Sequence, residues 1–178
     1  QKPLGKLWMT LVIAPKVRMV LGYALTYKAP SANTTMLALR DVYQQWGALP
    51  NEIVMDNGRE FKNLAISKLL AAFVTNVIYR PPASPRFGSI IERFFGVFDK
   101  RFAHHLLGST HAISRKSGKS RENNPALRAV WDIGHVDEAI RGFLDVYHDQ
   151  MHISLAMSPN DAMEADMRIH PCGKEIAQ

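Results

Sequence analysis

The chain has 178 residues, 47% of them hydrophobic, a formal net charge of +6 and one cysteine. That length supports one well-buried core and leaves no room for two full domains. A single cysteine, Cys172, excludes an internal disulfide or a cysteine-based zinc site, and no run of eighteen apolar residues points to a membrane span or a membrane partner. The N-terminal "QKPLGKLWMT" also lacks the charged-then-apolar layout of a signal peptide, so the expectation is a soluble protein of the cytoplasm.

Residues 7–13, "LWMTLVI", and 19–27, "MVLGYALTY", are β-rich runs parted by "APKVR", where Pro15 breaks the strand pattern, and they predict a hairpin. Ser31 is placed to cap a helix whose apolar side is Met36, Leu39, Val42, Tyr43 and Trp46, and Gly47 suits its end. "EIVM" (52–55) reads as a buried strand with Asp56 as its last or next residue, and Asp56-Asn57-Gly58 is by itself a strong turn signal. "LAISKLLAAF" (64–73) predicts a second amphipathic helix and "NVIY" (76–79) a further strand. "RPPASPRFGS" (80–89), with three prolines and a glycine, is a loop. In "IIERFFGVFDKRFAHHL" the positions Ile91, Phe95, Phe98 and Phe102 mark the buried face of a helix, with Glu92 at its edge. Residues 108–124 are rich in Ser, Gly, Lys and Arg and predict a mobile basic loop, part of an insertion covering about 108–135. A helix returns from Val136 to about Gln150 on Ile140, Phe143, Leu144 and Tyr147, and Ser158 with Pro159 opens a short last helix. Strands alternating with helices imply an α/β layer fold in a single domain, 1–178.

Charge is concentrated. Between Arg80 and Arg121 stand nine Lys or Arg against two acids, Glu92 and Asp99, so the rest of the chain is close to neutral. Such a block serves as a solvated face or as a polyanion-binding surface, and nucleic acid is the leading partner. Arg59, Lys62, Arg86 and Arg93 flank Asp56 and Glu92 and could hold phosphates beside them; Lys100, Arg101, Arg115, Lys116, Lys119 and Arg121 extend the basic run. Of the aromatics among them only Phe87 lies in a loop, which favours backbone recognition over base stacking. "HDQMH" sets His148 and His152 at the i, i+4 spacing of a zinc-protease helix. Asp149 replaces the required Glu, and the distant His170 is the one evident third ligand, so packing or phosphate contact is the preferred reading.

An acid ending a buried strand and a second on the rim of a core-packed helix can both face the exposed end of a sheet, where α/β proteins place their sites. Two such carboxylates can share a divalent cation, and hard oxygen ligands suit Mg²⁺ and the chemistry of a phosphodiester backbone. "IVMDNGREF" and "SPRFGSIIERFFG", with thirty-five residues between Asp56 and Glu92, resemble the second and third members of the Asp, Asp, Glu triad of the retroviral-integrase and transposase superfamily. "WMTLVIAPKVRMVLGYAL" is similar to the second and third strands of that family's core, and "YHDQMHISLAMSPNDAM" to its tail; the insertion after Gly108 resembles the bacterial, phage Mu-type branch.

The resemblance implies a ribonuclease H-like mixed sheet flanked by helices, and a polynucleotidyl transferase that uses Mg²⁺ or Mn²⁺ to nick DNA and transfer a strand. Asp56 and Glu92 would be the catalytic and metal-binding residues, and DNA, both transposon ends and target, the partner of a homo-oligomer in the bacterial cytoplasm near the nucleoid. In that family the first Asp lies on the first strand, upstream of a segment like "PLGKLWMTLVI". The expectation is therefore a fragment that starts after strand one, lacks a mid-sheet strand and is itself inactive. Asp41 and Asp99, the nearest substitutes, read as residues of solvated helix faces. A catalytically inactive DNA-binding or self-associating fragment and a ribonuclease H-type nuclease are the alternatives.

Overall fold

The computed structural model describes residues 6–56, 58, 63–80, 89–106 and 131–169. Strands β1 (Trp8–Ala14) and β2 (Met19–Thr26) form the predicted antiparallel hairpin, and helix α1 (Ala32–Trp46) follows. Strand β3 (Glu52–Met55), helix α2 (Leu64–Ala72) and strand β4 (Asn76–Tyr79) make a parallel unit. Helix α3 (Ser89–Arg101) ends in a 3-10 turn at Ala103–His105, and helices α4 (Ile133–Asp149) and α5 (Pro159–Ile169) complete the described chain. The basic insertion and the loop before α3 lie outside the described residues. No described helix is long and apolar enough to cross a membrane.

In place of the one mixed sheet expected, the described strands form two separate two-stranded sheets, antiparallel β1–β2 and parallel β3–β4, with no described strand between them. They are joined through side chains instead: Val12 of β1 packs against the cluster of Leu39, Ile53, Met55, Ile66 and Leu70, and also against that of Val17, Met19, Leu21 and Val42. A third cluster unites β2, α3 and α4 through Val20, Tyr23, Phe94, Ile140, Leu144 and Tyr147.

A bulge explains how β2 serves two of these clusters. Val12 pairs with Gly22 and Ile13 with Val20, leaving Leu21 as the extra residue. Strict alternation would send Val20 and Tyr23 to opposite faces; the inserted residue returns both to the α3–α4 side. At Gly22 the sheet approaches α1 so closely that a Cβ would lie 2.7 Å from the Val42 nitrogen and 2.8 Å from its Cγ2.

That approach shifts the buried stripe of α1. The helix begins after Ser31, whose N–H donates to Thr34 Oγ1 at 3.0 Å, and ends at Gly47 in the left-handed region (φ 71°), as the sequence predicts. Its buried side is Thr34, Thr35, Ala38, Leu39 and Val42. Tyr43 and Trp46, expected in the core, are exposed: Tyr43 lies edge-on to Phe73 at 5.3 Å, and the Trp46 indole donates to the Leu21 carbonyl at 3.0 Å. The stripe of α3 is likewise displaced. Phe94 is the buried residue, meeting Tyr147 edge-on at 5.3 Å; Phe95, Phe98 and Phe102 are partly buried, and Ile91 is exposed. On α4 the predicted Ile140, Leu144 and Tyr147 are buried, joined by Val136, while Phe143 is partly buried. Ser158 caps α5 by accepting the Asp161 N–H at 3.1 Å.

Candidate functional site

β3 alternates outward and inward, with Ile53 and Met55 against the core and Glu52 and Val54 exposed. Parallel pairing sets Met55 beside Tyr79, so the next residues on each strand, Asp56 and Arg80, leave the sheet together at its carboxyl end. The Arg80 N–H donates to the Met55 carbonyl at 2.8 Å, and Arg80 Nη1 donates to Asp56 Oδ1 at 3.2 Å. The Asp56 side chain is 63% exposed and that of Arg80 24%. Asp56 thus has a tertiary partner, while Asn57, on which the expected turn depends, lies outside the described residues. At this exposure the pair contributes at most about 1 kcal/mol, so it positions the carboxylate more than it stabilises the fold.

Glu92 lies in the first turn of α3 and is exposed, two residues before the buried Phe94 that fixes the helix on α4. Arg93 and Lys100 are exposed on the same helix. Arg101 Nη1 donates to Gln150 Oε1 at 2.6 Å, tying the end of α3 to the end of α4. Arg59, Lys62, Arg86, Arg115, Lys116, Lys119 and Arg121 fall outside the described residues. Among those that are described, no group of three or more His, Cys, Asp or Glu could hold a metal ion. Asp56 and Glu92 supply hard oxygen donors of the kind Mg²⁺ or Mn²⁺ accepts, and the described side chains add no third acid to them.

The zinc reading of "HDQMH" has no support in the side chains. His148 Nε2 accepts the Val20 N–H at 3.1 Å, and His152 meets the Tyr147 ring edge-on at 4.8 Å. Burial holds both imidazoles below their ordinary pKa; Arg18 and Arg101 add to this at His152. His170 lies outside the described residues. Asp41, expected on a solvated face, instead accepts the Tyr23 N–H at 2.9 Å and a hydrogen bond from Gln45. Two side-chain contacts have no local signal in the sequence. Arg80 stands there only as one residue of the basic run, although it follows β4 as Asp56 follows β3. Tyr23 donates to the Asp137 carboxylate at 2.7 Å; burial, then this bond, pushes its phenol pKa up.

Residues 42–108 match the family model described as the TnsB C-terminal domain. The chain is 23% identical over 160 residues to the transposase for transposon Tn552 of Staphylococcus aureus, an alignment covering 85% of this chain and 31% of that protein. It therefore spans about a third of the length of the curated relative it matches. Among solved structures, the catalytic core domain of BIV integrase superposes with a TM-score of 0.62 at 13% identity, covering 92% of this chain and 90% of that one. A chain of the simian T-cell lymphotropic virus intasome in complex with PP2A regulatory subunit B56 gamma superposes with a TM-score of 0.53 at 13% identity, covering 90% of this chain and 54% of that one. These likenesses show a ribonuclease H-like fold.

Proposed function

We propose that the chain is a member of the integrase/transposase superfamily, a reading supported by its likeness to the TnsB C-terminal domain, the Tn552 transposase and the integrase fold, and that it is the catalytic core of a bacterial DNA transposase or integrase, a polynucleotidyl transferase acting on DNA. The observation that supports this most is the placement of its two acids: Asp56 leaves the carboxyl end of a parallel strand beside Arg80, and Glu92 stands exposed on the first turn of α3. Asp56 and Glu92 would hold Mg²⁺ or Mn²⁺, which when bound supplies activation of the attacking oxygen and charge stabilisation of the leaving one. The Arg80 guanidinium offsets the Asp56 charge and orients the carboxylate. Arg93, one residue beyond Glu92, and Lys100 and Arg101 at the far end of α3 would engage phosphodiester oxygens, with Arg59, Lys62, Arg86, Arg115, Lys116, Lys119 and Arg121 extending that contact. The partner is DNA, bound by a homo-oligomer in the bacterial cytoplasm at the nucleoid.

The test is strand transfer on a labelled DNA end with Mg²⁺ or Mn²⁺, using the natural protein that carries these residues. Activity in wild type, lost in Asp56→Asn and in Glu92→Gln, is the expected result; activity retained in either variant overturns the assignment. A second reading, a DNA-binding piece without catalysis of its own, is supported by the described residues bringing no three His, Cys, Asp or Glu together as a metal site. It predicts DNA binding with no transfer in the 178-residue chain, whichever metal is supplied.

A further inference from the structure

The histidines of "HDQMH" take no part in the proposed reaction, and one of them sits where the fold is open to mispairing. β1 covers one side of β2, and no described strand covers the other. That outer side is closed by three side chains. His148 Nε2 accepts the Val20 N–H at 3.1 Å, Trp46 Nε1 donates to the Leu21 carbonyl at 3.0 Å, and Asp41 Oδ2 accepts the Tyr23 N–H at 2.9 Å. Open edges pair with other chains, and covering their polar groups is one way a protein prevents it. Of the three caps, the indole does not titrate and an ionised carboxylate is always an acceptor. An imidazole accepts only through an unprotonated nitrogen.

We propose that His148 is a pH-operated clasp: neutral, it ties α4 to the outer edge of β2; protonated, its Nε2 becomes a donor, opposes the Val20 N–H and releases that end of the edge. The groups around it set the balance. From α4, Asp145 and Asp149 favour the charged ring and Arg141 shares its cleft; from the following loop, His152 opposes the charge; α1 contributes Asp41 and the neutral Gln45, and β2 contributes Tyr23. Burial is the largest influence and favours the neutral form. Beside the ring lies a cleft of about 210 Å³ bounded by Gln45, Arg141 and Asp145. A protonated ring leaving Val20 therefore has space and a carboxylate to turn toward, which gives the clasp two positions.

The folded-state pKa of His148 is lowered, so the unfolded chain binds more protons between the two values. The stabilisation is present above the unfolded value, about 6.5, and is lost as pH falls through the folded one.

The experiment follows Val20 amide exchange and thermal unfolding of the full 178-residue chain from pH 8 to below the His148 transition, in wild type and His148→Gln. Glutamine keeps an acceptor for the Val20 N–H and does not titrate. In wild type, Val20 protection, corrected for the intrinsic pH dependence of exchange, should fall by up to about tenfold per pH unit between the unfolded and the folded pKa of His148 and level off below the latter, and H148Q should hold it level throughout. Parallel pH dependence in the two proteins overturns the proposal. Should H148Q fail to fold, an NMR titration of wild type decides: the Val20 amide must move on the same curve as the His148 ring, and a Val20 signal indifferent to that titration overturns it.

Discussion

Asp56 shows how far a tripeptide can be read. Asp-Asn-Gly specifies a turn, and nothing in those three residues distinguishes a turn from a ligand. What the fold adds is Arg80, 24 residues away, which reaches Asp56 Oδ1 because β3 and β4 are parallel and end together. Strand pairing is not written in local sequence, so the guanidinium's role was illegible while the acid's position at a strand end was not. Asparagine keeps the turn and can still accept from Arg80, so Asp56→Asn should change unfolding free energy by less than about 0.5 kcal/mol without metal. A metal ligand predicts a second effect. Mn²⁺ at a hundredfold excess over Kd stabilises by about 2.7 kcal/mol, and that increment should vanish in Asp56→Asn. Calorimetry with and without Mn²⁺ reads both, and an equal metal response in the two proteins would reduce Asp56 to a turn residue.

Element boundaries were legible because their signals are local: Pro15 in the hairpin turn, Gly47 after α1, Ser158 before α5. Helix phase was less so. Spacing identifies a stripe, but which edge of it is buried depends on what the helix meets. On α1 the sheet meets the Val42 backbone at Gly22, and the buried edge is Thr34, Thr35, Ala38, Leu39 and Val42 while Tyr43 is exposed. Gly22→Ala should therefore cost about 1–3 kcal/mol, since the Val42 backbone cannot easily move away. On α3, Phe94 is 2% exposed and Ile91 38%. Truncating Phe94 to alanine should cost about 3–5 kcal/mol, whereas Ile91→Ala should stay below about 1 kcal/mol. Urea midpoints of the two variants check the phase, and the reverse order would restore the stripe read from spacing alone.

At the scale of the molecule, the α/β class and the ribonuclease H-like fold were legible from the alternation of elements and from the family resemblance. The division of the sheet into two pairs depends on long-range pairing that periodicity does not encode. The charge distribution was legible too, because counting needs no fold. The basic run from Arg80 to Arg121 begins at the residue that holds Asp56 and passes through α3, which displays Glu92. In sequence, therefore, the run adjoins the segments that carry both acids, which makes it the stretch to test for the proposed DNA contact. Binding through phosphates is nearly indifferent to sequence and releases condensed counterions, so log K should fall linearly with log salt at a slope of about −0.9 per phosphate neutralised. Neutralising Arg115, Lys116, Lys119 and Arg121 together should flatten that slope by up to about 3.6 if each of the four holds one phosphate, and by nothing if the run is merely solvated. Fluorescence anisotropy with two unrelated duplexes, from low salt to several times physiological, measures slope and specificity together. A slope unchanged by the fourfold variant would remove the run from the interface and leave Arg93, Lys100 and Arg101 on α3 to account for binding.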